Sequence, residues 1–148
     1  MKTFVYPFGP PGCDADDGKP VLPIVLCNPA NGFEFETWGL IDTGADSSVV
    51  PENIAKILYH DIRNAKAERE VNFGLGGAVA VFMHSFDIHV RATDKKGKIT
   101  SKIAAKMTNK KIAVAPKLHT VILGESDFLK NFILTIDYPN RVFSLTIP

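Results

Sequence analysis

Trp38-Gly39-Leu40-Ile41-Asp42-Thr43-Gly44-Ala45-Asp46-Ser47-Ser48-Val49-Val50-Pro51 places one carboxylate, Asp42, directly after an apolar run and directly before a glycine turn. Such a residue stands at the end of a strand, where the backbone N–H groups of the following turn can orient it. Asp-Thr-Gly by itself is also the composition of an ordinary surface Asx turn. The flanking sequence therefore has to carry the argument.

Outward from this stretch the punctuation is that of hairpins. Val21 to Cys27 is apolar and β-branched, and Asn31-Gly32 offers two residues that tolerate positive φ. Phe33, Phe35 and Thr37 then alternate with Glu34 and Glu36, so the order is strand, turn, strand. Pro51 followed by Ile54, Ile57 and Leu58 predicts a short helix with one buried face. Strand patterns return at Val71 to Phe73, Val79 to Phe82 and Phe86 to Val90, with a turn at Lys95-Lys96-Gly97. Ser126 to Phe132 carries Phe128, Leu129 and Phe132 at helical spacing. Ile133 to Asp137 and Val142 to Ile147 read as two last strands linked by Tyr138-Pro139-Asn140. The expected class is all-β, one closed barrel or sandwich with one or two short helices. No repeat with a period of 20 to 50 residues points to a solenoid or propeller.

Two further segments stand out. Gly74-Leu75-Gly76-Gly77 lies between strand patterns as a glycine-rich hairpin tip. A phosphate-cradling loop is the rival reading, but no Lys-Ser/Thr pair or helical pattern follows the glycines. Val121-Ile122-Leu123-Gly124 reads on its own as a buried strand ending at a turn.

Taken in order, the three segments resemble the retropepsins, the single-domain aspartic proteases of retroviral type. The Asp42 stretch resembles their catalytic loop and residues 72 to 81 their flap. Residues 121 to 129 resemble the strand and short helix behind the catalytic loop. The resemblance covers about residues 20 to 148 and implies a closed barrel-like fold with a flap hairpin. It implies Asp42, Thr43 and Gly44 as the catalytic group, with Thr43 bonding across a two-fold axis. Ala45, Asp46, Gly74, Leu75, Gly76, Gly77 and Ile122 are implied as substrate-binding residues, and no metal or cofactor is implied.

The chemistry of that family needs two carboxylates sharing one proton, one ionised to deprotonate water and one protonated to hydrogen-bond the scissile carbonyl. Asp87, Asp94, Asp127 and Asp137 are not followed by Thr-Gly, so none repeats the motif. The second Asp42 is therefore expected from a second copy, in an isologous homodimer acting on a peptide or protein substrate. Ala45 stands where a serine hydroxyl would assist the carboxylate, which predicts an activity optimum at mildly acidic pH. Glu125 replaces the arginine usual in retroviral enzymes, so Asp46 needs another cation, with Arg141 or a partner's lysine as candidates. A dimeric binding or regulatory module with the same fold and no activity is the alternative function.

The remaining composition narrows the classes. With 148 residues, 45% of them hydrophobic, the chain fits one domain, expected over residues 20–148 behind a flexible N-terminal arm at 1–19, rich in Pro, Gly and Asp from residue 7 onward. A net charge of +1 gives no global field toward nucleic acid or lipid. Residues 91 to 111 hold Arg91 and seven lysines against Asp94, which is read as a solvated hairpin with lysines guarding its edges rather than a nucleic-acid site. No apolar run approaches the roughly 18 residues of a membrane span, and Pro7, Pro10 and Pro11 break the only leader-like run. No membrane partner and a cytoplasmic location are the expectations. Cys13 and Cys27 are too few for a disulfide scaffold and are expected as free thiols. The four histidines show no metal-ligand spacing, and Trp38 reads as core.

Overall fold

A computed structural model describes residues 1–14, 16–64, 68–72 and 78–148, with side chains left aside at 64 and 68–72. The described residues form strands β1 (Lys2–Pro7), β2 (Val21–Cys27), β3 (Glu34–Ile41), β4 (Val49–Pro51), β5 (Glu68–Asn72), β6 (Ala78–Thr93), β7 (Ile99–Ala115), β8 (Val121–Leu123), β9 (Ile133–Asp137) and β10 (Val142–Ile147). One α-helix, α1 (Glu52–Ile57), follows β4.

β2 is the strand about which the barrel closes. All seven of its residues are buried, because it pairs antiparallel with β3 on one side and β6 on the other. Pairing to β6 begins at Ile24, so Pro23 sits where only β3 is alongside and its missing N–H is tolerated. The ring runs β2-β3-β8-β4-β7-β6 and returns to β2, with β5 added outside β6. The closed barrel that the resemblance implies is thus present, built of six strands with very little helix.

Leu22, Ile24 and Leu26 of β2 fill the interior with Phe86, Ile88, Leu123 and Phe128. Helix α1 adds Ile54 and Ala55, and Leu58 just beyond it is fully buried. Pro51 caps the helix from outside rather than occupying its first turn. The lysine-rich region is a long hairpin of β6 and β7, with Gly97 at φ 77° in its turn and Asp94 accepting the Lys96 and Lys98 N–H groups.

Three expectations are corrected. Residues 1–19 are not a flexible arm throughout: β1 is paired along its whole length with β10, from Lys2↔Ile147 to Pro7↔Val142. Burial alternates from Phe4 to Pro7, and Tyr6 is the residue that docks the strand. That ring is 1% exposed, stacks on Phe143 and donates its hydroxyl to the Arg91 carbonyl at 2.8 Å. β1, β10 and β9 make a second sheet against one side of the barrel, with Phe143 and Leu145 reaching the shared core. The helical spacing at Ser126 to Phe132 yields turns and a three-residue 3-10 segment, Leu129–Asn131, not an α-helix, since Phe128 and Leu129 need only one turn to reach the core. Trp38 is half-buried rather than interior, and Cys13 and Cys27 are both free thiols. No helix among the described residues is long and apolar enough to cross a membrane.

Candidate active site

β8 lies between β3 and β4. It runs parallel to β3, with Ile41 opposite Leu123, and antiparallel to β4, with Ile122 opposite Val49. The loop from Asp42 to Ser48 therefore leaves one neighbour of β8 and returns to the other. Asp42 donates its backbone N–H to the Leu123 carbonyl at 3.1 Å, which continues the β3–β8 pairing by one residue. Its Oδ1 accepts the Gly44 N–H at 3.0 Å, and its carbonyl accepts the Ala45 N–H at 3.2 Å. The carboxylate is thus oriented by the turn that follows it. Asp42 is half-buried, whereas Thr43, Gly44 and Asp46 are exposed, so the motif faces outward on an open surface.

Gly124 fixes the other side of the loop. A Cβ there would lie 2.4 Å from the Ser47 carbonyl carbon, a contact that only a shift of backbone could relieve. The chain after Gly124 then runs against the loop: the Glu125 N–H donates to the Ala45 carbonyl at 2.9 Å and the Ser126 N–H to the Asp46 carbonyl at 2.8 Å.

Sequence reasoning missed the polar clamp beneath. The Asp127 carboxylate accepts the Ser48 N–H on both oxygens, at 3.1 and 3.0 Å, and the Ser48 hydroxyl at 2.6 Å. The same hydroxyl accepts the Gly124 N–H at 2.9 Å. Ser48 is 1% exposed, so its N–H and hydroxyl have no water to turn to and the carboxylate satisfies both. A Ser following Asp-Thr-Gly-Ala-Asp-Ser, and an Asp three residues after Gly124, were the only traces of this in the sequence.

Ile122 is half-buried and packs with Met83 and Leu118 against Val49, Val81, Ala113 and Ala115, a small apolar cluster separate from the main core. Gly74, Leu75, Gly76 and Gly77 lie outside the described residues; the strands on either side of them, β5 and β6, pair from Asn72↔Ala78 to Glu68↔Phe82. Asp46 takes part in neither of the two ion pairs among the described residues. Arg141 is excluded as its cation, because the guanidinium lies over the Phe8 ring, 4.9 Å from its centroid, and donates to the Gly18 carbonyl. Its positive-φ position (55°) in the β9–β10 turn aims it at the N-terminal segment instead.

A crystal structure of a retropepsin-like aspartic protease from Rickettsia conorii superposes with a TM-score of 0.65 at 18% identity, covering 98% of this chain and 99% of that one. The fold is that of a retropepsin-like aspartic protease. The agreement extends over β1 as well as the barrel, so the terminal sheet belongs to the retropepsin-like fold here and is not an appendage to it. No protein-family model and no curated protein matches the sequence.

Proposed function

We propose that this protein is an aspartic endopeptidase that hydrolyses peptide bonds as a homodimer, through a water held between two Asp42 carboxylates. The observation that carries this reading is the Asp42 turn: a carboxylate fixed at a strand end by the Gly44 N–H and presented on an open face with Thr43 and Gly44 exposed. The Asp127 carboxylate, by contrast, is taken up by the N–H and hydroxyl of Ser48.

One such carboxylate cannot hold both protonation states, so the second comes from the partner across a two-fold axis. The ionised member takes a proton from water, and the protonated member donates to the scissile carbonyl oxygen as the tetrahedral centre forms. Thr43 ties the two loops together below the pair. Gly44, Ala45 and Asp46 meet the backbone of an extended substrate, and Gly74, Leu75, Gly76 and Gly77 close over it from the flap. A peptide gripped in this way binds as an added strand, with pockets reading alternate side chains. The apolar cluster around Ile122 favours hydrophobic residues beside the cut bond. A lysine of the partner serves Asp46.

The test is to incubate wild type and Asp42→Asn with a peptide library across pH, with and without a pepstatin-type transition-state analogue, and to sediment the same samples. Cleavage by wild type that peaks at mildly acidic pH, is abolished in Asp42→Asn and follows the dimer supports the reading. Equal behaviour of the two proteins, or cleavage by a strictly monomeric species, overturns it. A dimer that binds peptides and cuts none would identify the silent binding module.

A further inference from the structure

Far from Asp42, the barrel brings together three side chains with the donor atoms of a transition-metal site. We propose that Cys27, Glu34 and His89 form a binding site for a divalent ion of the zinc class, with sulfur, carboxylate oxygen and imidazole nitrogen as ligands. The three come from adjacent strands. Cys27 of β2 lies directly opposite Glu34 of β3, and on its other side β6 places His89 opposite Val25. Since side chains alternate along a strand, Val25 and Cys27 share a face, and their cross-strand partners share it too. The ligands therefore form a row across three hydrogen-bonded strands, held by the sheet rather than by loops.

The spacing suits an ion. The Cys27 Sγ and His89 Nδ1 atoms are 3.8 Å apart, and all three donor atoms lie within 4.8 Å of one another. A tetrahedral ion with sulfur at about 2.3 Å and nitrogen at about 2.0–2.1 Å holds those two ligands about 3.6 Å apart. The thiol and imidazole already stand close to that separation, and the exposed Glu34 completes the set from the solvent side. Three protein ligands leave a fourth position for water on the Glu34 side, where the cluster opens to solvent.

Cys27 alone, 5% exposed on an apolar strand, would read as a small hydrophobe. What that reading does not explain is the pair of ligand-type side chains brought to it from both flanking strands. Asp87, opposite Cys27 on β6, is occupied in accepting the Asn109 N–H at 2.7 Å, next to the irregular pairing between Phe86 and Ile88, so it stands beside the site and adds negative charge. Glu34 and Asp42 are at opposite ends of β3, eight residues or about 26 Å apart at ~3.3 Å per residue. An ion at this site acts as a clamp on β2, β3 and β6 and takes no part in chemistry at Asp42.

The experiment is a cobalt(II) titration of the full-length protein followed by absorbance, with zinc(II) added afterwards in competition. One equivalent of cobalt is expected to raise a thiolate-to-metal charge-transfer band that zinc abolishes. The band should be absent in Cys27→Ser, persist in Cys13→Ser, and require metal roughly tenfold higher or more in Glu34→Gln and His89→Gln, since even outer-shell losses cost about 10–100-fold. Zinc should also raise the melting temperature of wild type and not of His89→Gln. Should Cys27→Ser fail to fold by circular dichroism, the Glu34→Gln and His89→Gln titrations decide. A band that survives in Cys27→Ser, vanishes in Cys13→Ser or is indifferent to both other substitutions overturns the proposal, as does the lack of any band in wild type. None of these readouts involves peptide cleavage, so the site stands or falls separately from the protease reading.

Discussion

Replacing Asp127 by alanine removes the acceptor for both the N–H and the hydroxyl of Ser48, a residue only 1% exposed. A buried donor left unpaired costs about 1–3 kcal/mol, and hydrogen bonds to a charged group are worth about 1.5–3 kcal/mol, so a total near 3 kcal/mol is expected. At about 2–4 °C per kcal/mol for a chain of this size, melting should fall by roughly 6–12 °C. Asp127→Asn keeps one acceptor oxygen and should lose about half as much. Ser126→Ala alters an exposed hydroxyl beside it and should stay within about 0.5 kcal/mol of wild type. Differential scanning calorimetry on the three variants measures the series. If the proposed peptidase activity holds, cleavage below their melting temperatures should decline in the same order, because Ser48 ties the return of the Asp42 loop to Gly124 and so sets where Asp42 stands. Were Asp127→Ala to melt with Ser126→Ala, the clamp would be ornamental and the account of the loop wrong.

Gly124→Ala forces backbone apart at Ser47 and should cost about 3 kcal/mol or more, seen as a lowered denaturation midpoint. His60 packs its ring against His84 and Phe86, and burial, then His84, hold its pKa down at about 4. A base with a depressed folded pKa stabilises fully above its unfolded value of about 6.5 and loses that contribution as pH falls toward 4. After screening at a half-exposed ring this amounts to about 1–2 kcal/mol. His60→Gln should therefore flatten the pH dependence of stability between pH 7.5 and 4.5, and an unchanged slope would refute the assignment. Tyr6→Phe leaves the Arg91 carbonyl without its donor and should cost about 1–2 kcal/mol in chemical denaturation. Deleting residues 1–7 uncovers Phe143 and Leu145 and should lower the melting temperature more than Tyr6→Phe does, an outcome opposite to that of trimming a loose tail.

Much of the fold could be read from residues whose patterns are local. β2, β9 and β10 are legible because apolar runs or alternation end at clear turns, and the Asp42 loop is legible because a long string of small and polar residues surrounds it. β1 and the three-residue strand β4 are less so, since the partner of β1 is distant in sequence and a strand of three residues has no period to detect. The Asp127–Ser48 clamp spans 79 residues and shows no spacing signal. The Cys27 cluster is hidden for the same reason: its ligands reach one face only once three strands are in register.

The pairing of β1 with β10 sets the order in which the molecule can complete itself. Between Pro7 and Val142 lie 134 residues, so a growing chain carries β1 without its mate for roughly 7–27 s at about 5–20 residues per second. During that interval Tyr6 has no Phe143 to stack on, and the strand offers an open edge to chaperones or to a neighbouring nascent chain. The last strand made is the one that ends this vulnerability, and a lesion in β10 is felt at both ends of the sequence at once.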